Sequence, residues 1–492
     1  MVRVSIPKEQ VQCENWIGGD WRKGSGDAIE IQSPITGATI GSLQASTAED
    51  LTDCIENSQE AAKGWAALSI KERCAVMFRA REILLRECDA ISHVVSAESG
   101  KTFGESKAGL FKGIEVLEYA LSLQNVDSGG RMEVSTGVWC EYRREPLGVV
   151  AGITPFNFPA MVPMWMMPIA LTLGNAFIWK PSEKTPITSK LLAQAFAEAG
   201  LPAGVLKIVQ GGRETVEAIL DAPGISAAAF VGSTAVAKQV YARGSASHKR
   251  VLALGGAKNH IVLMPDANPE MAADGIVASF TGCAGQRCMA ASVLLAVGDT
   301  EHILSQIKER AAGLKLSDNM GAIITQESVD KLNQAVDKAE SAGTKILLDG
   351  RRPQAPTDYK NGFWFAPTIL DEVSRDAEVS QTELFGPVLT IIRCENLSEA
   401  LEIENGSEYG NAASVFTQSG AVAERFAQEA QAGMVGVNIG VPVPREPFSF
   451  GGIQASKFGQ GDITGAGSLD FWSNQKKLTT KWSIESARNW MS

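Results

Sequence analysis

The sequence contains no apolar run long enough to cross a membrane. Its most apolar stretch, "MVPMWMMPIALTLG" (161–174), contains two prolines and is shorter than the roughly 20 residues that a membrane-spanning helix needs. We therefore predict a buried helix there. The N-terminal segment lacks the apolar core of a secretory signal and the Arg- and Ser-rich character of a transit peptide. These absences predict a cytoplasmic protein with no membrane partner.

An excess of positive charge is also missing. The 492 residues include 45 Lys and Arg against 56 Asp and Glu, a net charge of -11. Such a surface repels nucleic acid and anionic lipid, so neither is an expected partner. Any cationic site is therefore local. The length allows about three domains.

Cysteine and histidine show no metal-binding or disulfide pattern. The eight cysteines include no CxxC pair, and the four histidines include no HxxxH or HExxH spacing. In a long chain of this kind we expect free thiols and no metal site.

The chain alternates between helical and strand patterns. Residues 49–125 have helical periodicity, with Ser46 or Thr47 as the cap of the first helix. From Leu147, short apolar runs alternate with helical segments, and the alternation resumes after Gly256. This order predicts parallel sheets covered by helices on both faces, in two successive α/β units.

Two predicted strand ends carry residues suited to a nucleotide, although no GxGxxG motif is present. "IWKPSEKTP" places Lys180, Ser182 and Glu183 at the carboxyl end of a strand, where open α/β sheets bind ligands. A carboxylate there accepts hydrogen bonds from a ribose diol and repels a 2′-phosphate, although a solvated loop pair is the alternative. "FVGST" places Gly232 and Ser233 before a helix, which suits a phosphate or a simple helix cap.

The stretch "TGCAGQRCMA" (281–290) contains two cysteines, and a cation directly precedes the second. A thiolate is a strong nucleophile, and the charge of Arg287 can lower the pKa of Cys288. Adjacent side chains in an extended segment point to opposite faces, however, so Arg287 has other possible partners. Cys283 has no charged neighbour in the sequence. Cys288 is therefore the preferred candidate nucleophile.

Together these motifs resemble the aldehyde dehydrogenase superfamily over essentially the whole chain. The matching segments, in the family order, are "TPFNFP", "WKPSEKTP", "FVGST", "LALGGAKNH", "GQRC", "ELFGPV" and "PFSFGG". Within that superfamily, the segments around "TPFNFP", "GGAKNH" and "GQRCMA" are most similar to the CoA-acylating methylmalonate-semialdehyde dehydrogenases.

The resemblance implies an α/β protein with the aldehyde dehydrogenase-like fold. It implies a Rossmann-like NAD-binding domain at 1–125 and 145–254 and an α/β catalytic domain at 255–470. A small β oligomerisation element would comprise 126–144 and 471–492, in a homodimer or homotetramer. The active site would lie in a tunnel between the two domains.

The resemblance also assigns roles to individual residues. Cys288 matches the nucleophile that attacks the aldehyde, and Asn157 matches the amide that binds the resulting oxyanion. The positions matching cofactor contacts are Thr154, Pro155, Phe156, Lys180, Ser182, Glu183, Gly232, Ser233, Glu383 and Phe385. Glu183 favours NAD over NADP.

Two features bear on the reaction and the substrate. Hydrolytic members have a glutamate general base where this chain has Ala253, so we expect coenzyme A as the acyl acceptor. Simple sheet packing of Ala253, with another carboxylate as base, is the alternative. Arg287 matches a clamp for a substrate carboxylate, and Lys112 stands where the family has a second arginine.

The sequence therefore predicts oxidation of malonate or methylmalonate semialdehyde to acetyl- or propionyl-CoA with release of CO2. One alternative is a hydrolytic NAD-dependent dehydrogenase for another anionic aldehyde. A binding protein that keeps the fold without catalysis is the other.

Overall fold

The computed structural model describes residues 4–126 and 129–482. Its strands are β1 (Val11–Cys13), β2 (Asn15–Ile17), β3 (Asp20–Arg22), β4 (Ala28–Gln32), β5 (Thr39–Gln44), β6 (Gly130–Ser135), β7 (Val138–Pro146), β8 (Val149–Ile153), β9 (Ala176–Lys180), β10 (Leu206–Ile208), β11 (Ala227–Val231), β12 (Arg250–Leu254), β13 (Asn259–Leu263), β14 (Ala291–Val297), β15 (Lys345–Leu348), β16 (Thr368–Asp371), β17 (Val388–Cys394), β18 (Tyr409–Gly410), β19 (Ala412–Phe416), β20 (Met434–Val437), β21 (Ile453–Gln454), β22 (Lys457–Gly459) and β23 (Ser473–Lys481). Its α-helices are α1 (Ala48–Ala67), α2 (Ile70–Arg86), α3 (Cys88–Ser99), α4 (Phe103–Val126), α5 (Met161–Thr172), α6 (Ile187–Glu198), α7 (Arg213–Asp221), α8 (Thr234–Ala246), α9 (Pro269–Thr281), α10 (Glu301–Ala312), α11 (Gln326–Ser341), α12 (Glu378–Gln381), α13 (Leu397–Asn405), α14 (Gly420–Glu429) and α15 (Gly465–Trp472). A 3-10 turn, Gly282–Gly285, follows α9.

The first large sheet has the order β22-β12-β11-β8-β9-β10-β2-β3 in the described residues. Strands β12, β11, β8, β9 and β10 run parallel, whereas β22, β2 and β3 are antiparallel to their neighbours. Every residue of β8, β9 and β11 is buried, because helices cover both faces of a parallel sheet. The alternation predicted from Leu147 onward is confirmed.

The second large sheet has the order β15-β16-β17-β14-β13-β19-β20 in the described part of the chain. It is parallel except for the antiparallel edge strand β15. The predicted resumption of α/β alternation after Gly256 is thus confirmed, and the two sheets form separate units along the chain.

Helix α5 forms from the most apolar stretch of the sequence, and all of its residues are buried. It packs against α4 so closely that a Cβ on Gly113 would lie 2.9 Å from the Cβ of Met164. Burying a Leu- or Met-sized side chain typically contributes about 1.5–3 kcal/mol. The predicted buried helix is confirmed. Within residues 4–126 and 129–482, no helix is both long and apolar enough to cross a bilayer.

Helix α1 begins where the sequence predicts. Thr47 is its cap, and it forms a reciprocal capping box with Asp50. This cap and the helices that follow agree with the predicted helical region at 49–125.

A small sheet of order β23-β7-β6 stands apart from the two large sheets. Strand β23 pairs with β7 of the same chain, from Ser473 opposite Pro146 to Lys481 opposite Val138. The predicted oligomerisation element at 126–144 and 471–492 includes residues 127–128 and 483–492, which lie outside the described residues. The first three residues of the predicted 1–125 segment also lie outside them.

Strand β22 returns from the C-terminal part of the chain to the first sheet. It pairs with β12, with Phe458 opposite Ala253, although residues 457–459 fall within the range predicted for the catalytic domain. The first unit therefore takes a strand from beyond residue 254. The division into domains otherwise remains a prediction.

Candidate active site

A cavity of about 1220 Å³, here called the strand-end cavity, opens at the carboxyl ends of β8, β9 and β11. These strands are parallel, so their carboxyl ends meet at one edge of the sheet. The predicted site residues that line it are Thr154, Pro155, Phe156, Asn157, Lys180, Ser182, Glu183, Gly232, Ser233, Cys288, Glu383 and Phe385. The parallel sheet thus brings together the residues that follow β8, β9 and β11, while Cys288, Glu383 and Phe385 reach the same cavity from loops after residue 254.

A second cavity of about 880 Å³, here called the helix-side cavity, has walls from α4, α5 and α9. The predicted residues Lys112, Arg287 and Cys288 line it, and so does Cys283. Phe158, Trp165 and Cys288 line both cavities. Cys288 therefore lies where the two cavities meet.

Two asparagines hold the main chain at Cys288. The Asn259 Nδ2 donates to the Cys288 carbonyl at 2.7 Å and to the Ala290 carbonyl at 3.0 Å. The Asn411 Nδ2 donates to the same Cys288 carbonyl at 2.9 Å. These bonds tie the cysteine loop to the second sheet, because Asn259 begins β13 and Asn411 directly precedes β19.

Burial dominates the electrostatics of the Cys288 thiol. The pKa of Cys288 is raised to about 12, mainly by burial and to a smaller extent by the charge of Glu383. The charges of Arg287 and Lys101 lower this pKa, but they do not offset burial. Arg287 therefore acts in the direction that the sequence predicts, without bringing the thiol to neutrality.

The Arg287 side chain turns back onto the end of α9. Its Nη2 donates to the carbonyls of Ala278 and Ser279, the latter at 3.0 Å. The buried Nε has no hydrogen-bond partner among the described residues, although an unsatisfied buried donor is costly. A guanidinium held in this way on the wall of the helix-side cavity suits a planar carboxylate.

Lys112 lies in the same cavity, but its charge is already compensated. Its Nζ is 3.1 Å from a Glu115 oxygen and 3.3 Å from a Glu446 oxygen. The Glu446 side chain is only 5% exposed, so water screens this pair weakly. A contact between Lys112 and substrate stays a prediction.

Asn157 is oriented by the cysteine loop. Its Nδ2 donates to the Gln286 carbonyl at 3.0 Å, which leaves the second N–H of the amide for another acceptor. Gln286 is fixed in turn, because its Nε2 donates to the Ala322 carbonyl at 3.0 Å and its Oε1 accepts from the Ile324 N–H at 2.9 Å. An oxyanion donor requires this kind of rigid placement.

Lys180 and Glu183 are not a solvated loop pair. The Lys180 side chain is 4% exposed; its Nζ donates to the Gly211 carbonyl at 2.6 Å and lies 3.4 Å from Glu183. Burial lowers the pKa of Lys180, and Glu183 opposes this shift. The half-exposed Glu183 carboxylate remains accessible from the strand-end cavity.

The N-terminus of α8 also faces this cavity. Ser233 occupies the cap position, but its side chain makes no capping hydrogen bond. The helix thus presents backbone N–H groups without a side-chain acceptor, which suits an anion such as a phosphate.

Glu383 lies against the backbone of the "GGAKNH" segment. Its Oε1 accepts a hydrogen bond from the Ala257 N–H at 2.9 Å. A Cβ on Gly256 would lie 2.2 Å from the Oε2, so only glycine permits this approach. Burial raises the pKa of Glu383 to about 7, while the Ala257 N–H and the charge of Lys258 oppose the increase.

Cys283 has a different environment from the one that the sequence suggested. It has no charged neighbour in the sequence, but the fold brings Glu105 to it from α4 and Lys101 from the turn before that helix. The Glu105 Oε1 accepts from the Cys283 N–H at 2.6 Å. Burial nevertheless raises the pKa of the Cys283 thiol, and Lys101 lowers it.

Sequence reasoning missed three residues that hold the site: Gln286, Asn259 and Asn411. Gln286 and Asn259 stand inside recognised motifs, so motif membership was an available signal. No sequence signal pointed to Asn411.

The family model described as the aldehyde dehydrogenase family matches residues 21–478. The chain belongs to the aldehyde dehydrogenase family. The predicted resemblance is therefore confirmed. Members of this family act on small aldehydes.

Individual family members cover nearly the whole chain. Malonate-semialdehyde dehydrogenase 2 of Geobacillus kaustophilus (strain HTA426) is 37% identical over 478 residues, which are 95% of this chain and 98% of the relative. The methylmalonate-semialdehyde dehydrogenase structure from Oceanimonas doudoroffii has 36% identity and a TM-score of 0.95, covering 98% of this chain and 100% of its own.

A candidate methylmalonate-semialdehyde dehydrogenase from Sinorhizobium meliloti 1021, solved in complex with NAD, is 36% identical with a TM-score of 0.95. The alignment covers 97% of this chain and all of that one. These similarities confirm the predicted aldehyde dehydrogenase-like α/β fold.

Proposed function

We propose that this aldehyde dehydrogenase catalyses the NAD-dependent, CoA-acylating oxidation of a short carboxylated semialdehyde. Malonate and methylmalonate semialdehyde are the preferred substrates, in agreement with the names of its relatives. The observation that carries this proposal is the position of Cys288 between two cavities. One cavity presents nucleotide-binding groups, and the other presents Arg287.

NAD fits the strand-end cavity. In this proposal the Glu183 carboxylate accepts hydrogen bonds from the hydroxyls of the adenosine ribose, and Lys180 lies 3.4 Å from it. The N-terminus of α8 at Gly232 and Ser233 suits the pyrophosphate, and Glu383 suits the nicotinamide ribose. Thr154, Pro155, Phe156, Ser182 and Phe385 complete the proposed contacts.

The chemistry begins when the Cys288 thiol loses its proton to solvent and the resulting thiolate attacks the aldehyde carbon, which forms a thiohemiacetal. The free N–H of Asn157 and the backbone N–H of Cys288 stabilise the oxyanion. NAD bound here supplies a hydride acceptor, which leaves an acyl thioester on Cys288.

Release of the acyl group cannot use the glutamate general base of the hydrolytic members, because this chain has Ala253 at that position. Ala253 is fully buried in β12 and packs in an apolar cluster with Phe230, so it cannot accept a proton. We propose that the thiolate of coenzyme A, instead of water, attacks the thioester carbonyl; the bond to Cys288 breaks, acyl-CoA forms, and the Cys288 thiolate is released. A malonyl-type acyl group carries a carboxylate beta to its carbonyl, so it can lose CO2 and give acetyl- or propionyl-CoA.

A hydrolytic dehydrogenase is the second candidate, and one observation favours it. Glu383 is a carboxylate whose charge acts on Cys288, and burial raises its pKa to about 7. This value suits a general base near neutral pH. In that case water would replace coenzyme A.

The proposal is tested by following NADH formation from malonate semialdehyde and NAD, with and without coenzyme A. We expect turnover only with coenzyme A, and acetyl-CoA as the product by mass spectrometry. Steady turnover without coenzyme A, with a free acid as product, would support the hydrolytic enzyme. NAD binding without turnover under either condition would support a non-catalytic protein.

For assembly, we propose a homodimer or homotetramer formed through the small β23-β7-β6 sheet. This sheet exposes four large apolar side chains, with exposed fractions between 41% and 66%: Met132, Val134, Tyr142 and Leu478. Such a surface is typical of an interface. A cytoplasmic location suits the eight cysteines, which are unpaired in the structure. Sedimentation analysis of wild type and Leu478→Glu tests the assembly, and the variant should dissociate.

A further inference from the structure

Lys258 is a buried cation that the proposed mechanism does not use. It lies in the loop between β12 and β13 and is 2% exposed. Among the described residues, its Nζ has no hydrogen-bond partner and makes no ion pair. An unpaired buried ammonium costs several kcal/mol of stability, so the fold gains nothing from this side chain at this position.

The two chain neighbours of Lys258 hold the two sides of the active site. Ala257 donates its N–H to Glu383 at 2.9 Å. Asn259 donates its side-chain amide to the Cys288 carbonyl at 2.7 Å. The main chain at Lys258 is therefore fixed between the residue that holds Glu383 and the residue that holds Cys288.

Glu383 is the carboxylate whose charge acts on Lys258. Burial lowers the pKa of Lys258 to about 7, and Glu383 opposes that shift. The other titratable groups that face Glu383 are Cys288 and Tyr409. Burial raises the pKa of each to about 12, so both are neutral near pH 7.

His260 is the remaining titratable group that faces Lys258. Burial, with the charge of Lys258, lowers the pKa of His260 to about 3, so this side chain is also neutral near pH 7. Near pH 7, the main electrostatic interaction in this part of the site is therefore the one between Lys258 and Glu383.

We propose that Lys258 is a positioning residue that acts through Glu383: its buried ammonium holds that side chain in the carboxylate form that binds a ribose diol. A carboxylate accepts hydrogen bonds from both hydroxyls, whereas a protonated carboxyl group has lost part of this capacity. The inference rests on the proposed role of Glu383 in binding the nicotinamide ribose.

The test measures the Kd of NAD by calorimetry across a pH series, without aldehyde. Wild-type affinity should fall as pH decreases through about 7, because Glu383 takes up a proton in that range. Lys258→Met should move this midpoint upward. An upward shift of about one pH unit weakens binding about tenfold well below the midpoint and leaves it unchanged well above. The melting temperature should hold or rise, since an unpaired buried charge is removed.

Lys249→Met is the matched control. Lys249 is also buried, but its Nζ donates to the carbonyls of Ala222 and Ile225, at the opposite end of β12 from the site. This variant should lower the melting temperature and leave the pH profile of NAD binding unchanged.

Glu383→Gln separates the two hypotheses. If Glu383 binds ribose, this variant should weaken NAD binding and remove its pH dependence, and Lys258→Met should add no further effect. An unchanged Kd in Glu383→Gln would overturn the role of Glu383 itself. If Glu383→Gln does weaken NAD binding, two results for Lys258→Met would still overturn the role of Lys258. One is an equal loss of NAD affinity at low and high pH, and the other is no change in NAD affinity at either pH.

Discussion

The two cavities that meet at Cys288 are built in different ways. The strand-end cavity takes many of its polar groups from the carboxyl ends of parallel strands, where the sheet topology brings them together, and Glu383 reaches it from a loop before β17. The helix-side cavity takes its polar groups from helices and from loops distant in the sequence. The strand-end cavity therefore suits a cofactor that many dehydrogenases share, whereas the helix-side cavity suits the selection of one substrate.

The cavities also differ in how their charges are compensated. In the helix-side cavity, Lys112 is paired with Glu115 and Glu446, and Arg310 lies 2.6 Å from Asp274. Among the described lining residues, Arg287 is the cation that forms no ion pair. We therefore expect the position of this one guanidinium to decide which aldehydes the cavity favours.

The largest effect should come from Cys288, which both cavities share. Cys288→Ala removes the nucleophile, so NADH formation should fall by at least about 10⁴-fold. NAD binding should change little, because the thiol is only one part of the strand-end cavity. Steady-state NADH absorbance and calorimetry measure the two quantities.

Cys283→Ala is the paired control. Cys283 lines only the helix-side cavity of the two, and most of the activity should remain. If Cys283→Ala were inactive and Cys288→Ala active, the nucleophile would have been assigned to the wrong thiol.

The next effect should come from Asn157, on the strand-end side of the thiol. Asn157→Ala removes an oxyanion donor, which typically costs about 100- to 1,000-fold in kcat. KM should change far less, since the bond develops in the transition state. A loss confined to KM would show that Asn157 binds the ground state instead.

Arg287 tests the helix-side cavity. Arg287→Leu should raise KM for malonate semialdehyde by about 10- to 100-fold, which corresponds to a charge-assisted hydrogen bond. KM for propanal should change only a few-fold. Arg310→Leu is the control, because Arg310 already has a carboxylate partner, and it should affect both aldehydes weakly. Equal effects of Arg287→Leu on both aldehydes would exclude the clamp.

The same contrast explains what the sequence could predict. All predicted cofactor residues line the strand-end cavity. Those at the ends of β8, β9 and β11 follow strands whose direction the α/β alternation predicts. Glu383 and Phe385 instead follow the short helix α12, and only the family resemblance pointed to them. The apolar helix α5 and the cap at Thr47 were predictable for similar reasons, since local patterns determine them.

Charge compensation was not predictable, because it depends on contacts between distant segments. The bond from Lys112 to Glu446 spans 334 positions, and no local pattern predicts such a pair. The charge of Lys101 near Cys283 was missed for the same reason. The adjacency of Arg287 and Cys288 in the sequence also did not show that the Arg287 side chain turns back to the end of α9.

The smallest predicted effect concerns the protonation of Cys288 and compares the charges on its two sides. Burial raises the pKa of Cys288 to about 12, so alkylation by iodoacetamide without NAD should accelerate about tenfold per pH unit up to about pH 10. Cys288→Ala supplies the background rate. At fixed pH, Glu383→Gln should speed alkylation a few-fold and Arg287→Leu should slow it, because the two charges act on this pKa in opposite directions. A plateau near neutral pH would mean that the cations on the helix side outweigh burial.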